Sequence, residues 1–236
     1  MNLRTQRLAV WTGPLLCLLF GIGLVGLAQW VPPPRADASM AEVAAMYSEH
    51  TNRLRSGLVL MMLGAGFLAS WGSAITTQLK RIEGSHSPMT WTNLACTAAN
   101  VMVVTVPVMV MIAASFRPDR NPEITQALND LAWIMFVMVF PPVMVQELAI
   151  AGAVFGNSEQ KIYPRWVGYF NVWCALLLLP ALLLPFFKTG AFAWQGVLEF
   201  WLAGIVFFGW IVVMTVATLG AIKQQESEQA APAPVA

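Results

Sequence analysis

Charged residues are scarce in this chain of 236 residues, at 11% of the sequence, whereas soluble domains carry about 25%. With a net charge of +1, the chain lacks the basic surface that a nucleic-acid partner requires. Hydrophobic residues make up 58%, and the mean hydropathy is +0.65. This composition excludes a disordered chain and a water-soluble domain, and it indicates an integral membrane protein in contact with a lipid bilayer.

Cysteine and histidine are also rare, and their positions argue against the common cofactors. Cys17, Cys96 and Cys174 all lie inside long apolar stretches and form no CxxC pair, so neither a disulfide framework nor a zinc site is expected. His50 and His86 lie outside those stretches, which argues against a buried bis-histidine haem. We therefore predict no cofactor and no metal site.

Six stretches are long and apolar enough to cross the roughly 30 Å hydrocarbon core, which takes about 20 residues of helix. They cover residues 8–31, 56–79, 89–116, 131–155, 166–187 and 194–222. Since backbone amides must bond internally within a bilayer, these stretches predict helices. The predicted fold is all-α: a polytopic membrane helix bundle with six transmembrane helices, a single domain over 1–223, and a disordered C-terminal tail over 224–236.

A short amphipathic helix is predicted in the first outer loop. The three prolines at 32–34 end the first membrane helix. Met40, Val43, Tyr47 and Leu54 then follow at helical spacing, with charged residues between them. We expect this segment to lie on the outer surface of the membrane.

Lysine and arginine in the flanking loops predict the orientation. With the N-terminus inside, seven basic residues lie on the cytoplasmic side and six on the other, and this excess favours cytoplasmic N- and C-termini. The cytoplasmic seven are Arg4, Arg7, Lys80, Arg81, Lys161, Arg165 and Lys223. One alternative stays open: the first apolar stretch, followed by Ala36-Asp37-Ala38, could be a signal peptide, although its length exceeds the roughly 7–15 residues of a signal core.

Small residues inside the spans are interpreted as packing surfaces. Residues 21–26 match the GxGxxG nucleotide pattern, but they lie within a membrane span and have no surrounding βαβ unit. Gly152 and Gly156 form a GxxxG pair, and Gly64 and Gly66 lie in the second span. Such residues let helices approach closely, within the bundle or in contact with other membrane subunits or a second copy of the chain.

Glu147 is the one charged residue of the fourth span, about 6 Å from its centre at roughly 1.5 Å per residue. An acid at this depth costs roughly 3 kcal/mol and usually faces a cavity or a partner. Pro141-Pro142 precede it and should bend the helix. Glu199, near the outer end of the last span, is expected to be solvated.

Amides and hydroxyls from other spans share the predicted cytoplasmic half with Glu147. We predict that they form a ligand-binding pocket open toward the cytoplasm, with Glu147 at its floor. The candidate residues are Glu147, Gln146, Asn100, Asn171, Asn93, Ser70, Ser73 and Thr215. The structural alternative is a protonated Glu147 that is hydrogen-bonded to Asn100 or Asn171 and holds helices together. Trp71, Trp173 and Trp210 lie deep in their spans and are expected to face the interior.

Three functional classes remain open. The first is a multi-pass protein that binds or carries a small apolar or weakly acidic solute near Glu147. The second is an accessory or assembly subunit of a larger membrane complex. The third is a membrane-embedded enzyme acting on a lipophilic substrate, which ranks last because no second catalytic group is visible near Glu147; no catalytic residue is assigned.

Residues 116–123 read FRPDRNPE, and residues 128–133 read LNDLAW. Within the first segment, Asn121-Pro122-Glu123 has the composition of a helix start. Together these segments resemble stretches of uncharacterised bacterial six-span integral membrane proteins of actinobacterial type. The resemblance implies a bacterial inner (plasma) membrane protein and no particular activity.

Overall fold

The computed structural model describes residues 2–138, 140–156 and 162–230, and within these ranges the chain is helical with no strand. Six helical spans are long and apolar enough to cross a membrane, which confirms the predicted all-α, six-span bundle of a multi-pass membrane protein. They are Leu3–Leu27, Thr51–Glu83, Pro88–Phe116, Pro122–Gly156, Arg165–Phe186 and Val197–Ala230.

Three of the spans change their helical type along their length. The first contains α1 (Leu3–Gly21) and then a π-helical segment, Ile22–Leu27. The loop helix is α2 (Met40–Ser48), and the next two spans are α3 (Thr51–Glu83) and α4 (Pro88–Phe116). The fifth span is α7 (Arg165–Leu177) followed by a 3₁₀ segment, Leu179–Phe186. The last begins as a π-helical segment, Val197–Leu202, and continues as α8 (Ala203–Ala230).

The fourth span is interrupted where the sequence predicts a bend. It consists of α5 (Pro122–Met138) and α6 (Pro141–Gly156), so its start at Pro122 is also as predicted. The Phe140 amide donates to the Met138 carbonyl at 2.9 Å instead of to a carbonyl four residues earlier, so the regular helical hydrogen bonds stop at this point. The cause is local, because neither proline has an amide proton and each ring clashes with the preceding turn.

The first helix begins and the last helix ends at the same end of the bundle, here called the terminal end; the end that carries α2 is called the loop end. At the terminal end, three buried glutamines join the first, second and last spans. The Gln78 side-chain amide donates to Gln6 Oε1 at 2.6 Å and to Gln225 Oε1 at 3.2 Å. These bonds satisfy polar groups that would otherwise be buried alone among apolar helices.

The expected disorder over 224–236 is wrong for residues 224–230, which continue α8 as far as Ala230; residues 231–236 lie outside the described ranges. Two ion pairs connect this part of the helix to the bundle. Arg7 pairs with Glu226 at 2.5 Å, and Arg81 pairs with Glu228 at 2.7 Å. Tertiary contacts therefore give helical structure to a segment whose composition alone suggested none.

Replacing both Glu226 and Glu228 with glutamine should loosen the end of α8 without unfolding the bundle. Ion pairs at a protein surface contribute only about 0–1 kcal/mol each, and both glutamates here are about half exposed. We expect faster amide hydrogen exchange over 224–230 and an almost unchanged thermal midpoint. Exchange that matches the wild type would show that these pairs do not hold the segment.

The predicted loop helix is confirmed as α2. We expected it on the membrane surface, and in the structure it packs against the bundle. Ser39 and Glu42 form a reciprocal capping box at its start. Val43 and Tyr47 are buried, and the Tyr47 hydroxyl donates to Asn129 Oδ1 of α5 at 3.2 Å. Burial raises the pKa of the Tyr47 phenol above its ordinary value. Leu54, expected in the same helix, belongs to α3.

Glycine allows the first two spans to approach closely. A Cβ on Gly57 would lie 2.6 Å from the Gly23 carbonyl oxygen, and a Cβ on Gly23 would lie 2.5 Å from that of Gly57. The packing interpretation of the GxGxxG segment is therefore confirmed at Gly23. At Gly21 and Gly26 the space is open or nearly so, and Gly152 only touches Met89 of α4, at 3.4 Å.

Candidate functional site

Five of the predicted site residues belong to two separate hydrogen-bond networks. The first network joins α4 and α6 through Gln146. Its side-chain amide donates to Asn93 Oδ1 at 3.0 Å and to Thr97 Oγ1 at 2.9 Å, while its Oε1 accepts from Asn100 Nδ2 at 2.7 Å. Asn93 in turn donates to Thr76 Oγ1 of α3 at 2.8 Å. The network is buried and packs three helices together.

The second network joins α3, α7 and α8 around the deep tryptophans. The Trp210 indole donates to Asn171 Oδ1 at 2.8 Å, and the Trp71 indole donates to Thr215 Oγ1 at 3.0 Å. The two indole rings are 4.9 Å apart in an edge-to-face arrangement. Asn171 and Thr215 thus satisfy the indole protons that burial requires to be paired.

Two predicted site residues lie away from both networks. Ser73 is exposed and donates to the Ala69 carbonyl of its own helix at 2.7 Å, and Ser70 is half-buried. Trp173, expected in the interior, is 63% exposed and faces the surroundings of the bundle. In each case the sequence indicates that the residue belongs to a span but not the face of the helix on which it lies.

Glu147 is fully buried, and both of its carboxyl oxygens lack a hydrogen-bond partner among the described residues. It lies about 100° around α6 from Gln146, which holds the neighbouring amides instead. The structural alternative that pairs Glu147 with Asn100 or Asn171 is therefore wrong within the described ranges, because neither of its carboxyl oxygens bonds either amide there.

Replacing Gln146 with leucine should destabilise the bundle by about 1–3 kcal/mol, because the side chains of Asn93, Thr97 and Asn100 would lose a buried partner. Thermal unfolding of the purified protein in detergent measures this effect. Ser73→Ala is the control, since its hydroxyl is exposed and bonds only its own helix. A Gln146→Leu variant as stable as Ser73→Ala would contradict the structural role of the network.

A cavity of about 570 Å³ lies in the other half of the bundle, toward the loop end. Its wall is formed by the end of α1, the middle of α4, the α5–α6 interruption and the start of the last span. Apolar and aromatic side chains dominate this wall, and Asn100 and Glu199 contribute an amide and a carboxyl. We call this space the lateral cavity.

The irregular helical segments converge on the lateral cavity. The π-helical segment of the first span contributes Leu24 and Val25, and that of the last span contributes Glu199 and Trp201. Phe140 contributes from the interruption between α5 and α6. π-helical turns are rare in proteins, but those that occur are often found at functional sites. Because two of them meet at the lateral cavity, this cavity is the candidate binding site.

The lateral cavity opens sideways, toward the region that lipid occupies. Val25 of the first span and Ile205 and Val212 of α8 line it, yet they are 55%, 70% and 52% exposed on the outside of the bundle. Between them, Gly21 and Gly204 have no neighbouring atom within 4 Å of where a Cβ would lie. From these exposed wall residues we infer that the cavity opens between the first and last spans, on the side that lipid would contact.

Glu199 is fully buried, so the expectation that it is solvated is wrong. Both of its carboxyl oxygens lack a partner in the described part of the chain, and so does Asn100 Oδ1. Buried polar groups are normally hydrogen-bonded, so unsatisfied oxygens in the residues of a cavity wall indicate a place for a donor group from outside the protein.

The predicted pocket and the lateral cavity therefore differ in position. Asn100 is shared between them, whereas Glu147 does not line the lateral cavity. Sequence reasoning missed Glu199 because an acid near the end of a span usually reaches water. In the structure Glu199 belongs to the π-helical segment Val197–Leu202, and its side chain is buried inside the bundle near the loop end. A role for Glu147 in ligand binding remains a prediction.

No family model matches the chain, and neither a curated protein nor a solved structure matches it.

Proposed function

We propose that this multi-pass membrane protein binds or carries a lipophilic molecule, which enters the lateral cavity from the bilayer through the opening between the first and last spans. The observation that carries the proposal is the combination of a lateral opening with buried, unpartnered oxygens on Glu199 and Asn100. A small apolar solute is one of the ligands expected from the sequence, and the lateral cavity suits an apolar body.

The polar residues of the wall favour a ligand with a hydrogen-bond donor, such as an amine or a hydroxyl. A carboxylate that pairs with an ammonium group only accepts hydrogen bonds, and an amide oxygen only accepts them as well. A bond to an ionised partner is roughly twice as strong as a neutral one. A weakly acidic ligand would place a second acid beside Glu199, and two acids repel each other when both are ionised. We therefore favour a lipophilic amine or alcohol as the ligand and not a weak acid.

Selectivity should come from this polar contact and not from the apolar wall. A hydrocarbon chain gains little by moving from lipid tails into the cavity, since the two surroundings are equally apolar. A donor group moving from the bilayer to Glu199 gains a bond that hydrocarbon cannot offer. The cavity should therefore distinguish ligands by their head group.

Glu199→Gln should weaken binding of a long-chain primary amine, labelled with dansyl at its tail end, by about tenfold or more, because bonds to charged groups contribute about 1.5–3 kcal/mol. Energy transfer from tryptophan to dansyl measures binding, and Trp201 lies in the wall. The matched control is Glu147→Gln, which also changes a buried, unpartnered carboxyl but lies outside the wall.

The proposal predicts near wild-type binding by Glu147→Gln and weaker binding of a dansyl-labelled fatty acid of the same length. Equal loss in both glutamine variants would contradict the role of Glu199. So would tighter binding of the fatty acid than of the amine.

The orientation with both termini in the cytoplasm of a bacterial cell is part of this proposal and rests on the excess of basic residues at the terminal end. In that orientation the lateral cavity lies in the outer half of the inner membrane. A green fluorescent protein fused after Ala236 should be fluorescent, while alkaline phosphatase fused there should be inactive. Active phosphatase would reverse the orientation.

A further inference from the structure

A separate groove of about 400 Å³ lies on the outside of the bundle between α3 and α4, near the loop end. It is lined by Met62, Met109, Ile112, Ala113, Phe116 and Arg120, none of which lines the lateral cavity. Met109 and Phe116 are 54% and 66% exposed, so the groove faces the hydrocarbon phase. Met109 lies seven residues before Phe116, so the groove extends about 10 Å along the helix.

Arg120 lines the end of this groove at the close of α4, and Arg55 lies beside Phe116 there. Arg120 donates to the Ala113 carbonyl at 3.2 Å. Arg55 donates through Nη2 to the Ser115 carbonyl at 2.5 Å and to the Phe116 carbonyl at 3.1 Å, and its guanidinium lies 6.0 Å from the centre of the Phe116 ring. Both side chains thus cap the negative end of the helix.

Capping leaves most of the donor capacity of these arginines unused. Each guanidinium has five N–H groups. The ion pairs within the described residues involve Arg7, Arg35 and Arg81, so neither Arg55 nor Arg120 has a carboxylate within 4.0 Å there. Arg55 Nε is buried without a partner. Two cations at the membrane end of an apolar groove therefore present uncompensated positive charge.

We propose that the groove holds an anionic phospholipid, with its phosphate at Arg120 and Arg55 and an acyl chain along Met62, Met109 and Ile112. The fork of an arginine matches the geometry of a phosphate and binds it through two hydrogen bonds. The apolar length below it suits a hydrocarbon chain. Charge complementarity selects an anionic lipid over a zwitterionic one, whose head group carries a compensating positive charge.

Native mass spectrometry with phosphatidylglycerol and phosphatidylcholine of identical chains tests this site on the full-length protein. Wild type should bind phosphatidylglycerol more tightly. Arg120→Gln should weaken that binding about fivefold and leave phosphatidylcholine unchanged. The matched control, Arg165→Gln, removes an exposed arginine at the terminal end and should bind as wild type.

A second variant fills the groove and keeps every charge. Ala113 is exposed, so Ala113→Phe can extend over the groove without entering the core, and it should weaken binding of both lipids there. The site is wrong if the two lipids bind wild type equally. It is also wrong if Arg165→Gln loses as much phosphatidylglycerol binding as Arg120→Gln, or if neither Arg120→Gln nor Ala113→Phe changes it.

Discussion

Gly204→Leu should remove at least about nine-tenths of the binding of the dansyl-labelled amine. Gly204 lines the lateral cavity, and no neighbouring atom lies within 4 Å of where its Cβ would be. A leucine there can enter the opening without a clash, and it should reduce binding by occupying the ligand's path. Leucine also favours a helix over glycine by about 1 kcal/mol, so the variant should remain folded.

Gly209→Leu is the control for this experiment. Gly209 belongs to the same helix and also has open space around it, but it does not line the lateral cavity. The two variants therefore share the change in helix propensity and in apolar surface. Equal binding by Gly204→Leu and Gly209→Leu would show that the probe does not use the lateral cavity.

Gly57→Leu should have the largest effect on folding. A Cβ at Gly57 would lie 2.6 Å from the Gly23 carbonyl oxygen and 2.9 Å from the Ala28 nitrogen. Both are backbone atoms that cannot move without separating the first two spans. Such overpacking costs about 3 kcal/mol or more, or roughly 10 °C in the unfolding midpoint.

Thermal unfolding followed by size-exclusion chromatography measures this loss, with Gly66→Leu as the control. Gly66 lies in the same helix and has no neighbouring atom within 4 Å of its Cβ position. Its leucine variant should unfold within a few degrees of wild type. Equal midpoints for the two variants would mean that the Gly23–Gly57 contact is not close in the folded protein.

The features that the sequence predicts correctly depend on local physics. Continuous apolar runs determine the six spans, because a helix is the only way to satisfy their amides in a bilayer. Pro141 and Pro142 interrupt the fourth span through their own covalent structure. The helix start at Pro122 likewise depends only on the neighbouring residues Asn121, Pro122 and Glu123.

The features that sequence reasoning missed depend on which face a side chain occupies. Gln146 and Glu147 are adjacent, but only Gln146 meets the amides of α4. The π-helical start of the last span changes the direction of Glu199 relative to a regular α-helix, and tertiary contacts at the terminal end extend α8 beyond residue 223. Neither effect is visible in composition or periodicity.

The buried polar residues of the bundle form two groups, one in each half. In the half nearer the terminal end, Gln146 bonds Asn93, and Asn171 bonds Trp210 in a separate network, so these residues act there as packing contacts. The unsatisfied oxygens of Glu199 and Asn100 belong instead to the residues of the lateral cavity. We expect substitutions in the first group to change stability, substitution of Glu199 to change binding, and substitution of Asn100, which also bonds Gln146, to change both.

Photolabelling locates the ligand most directly. A long-chain primary amine that carries a diazirine would be crosslinked to the protein in lipid nanodiscs, and the labelled peptides would be mapped by mass spectrometry. Binding in the lateral cavity predicts labels within 16–25 and 199–212, which an excess of unlabelled amine prevents. Labels confined to outward-facing residues such as Val59 and Leu63 of α3, and unaffected by the competitor, would contradict it.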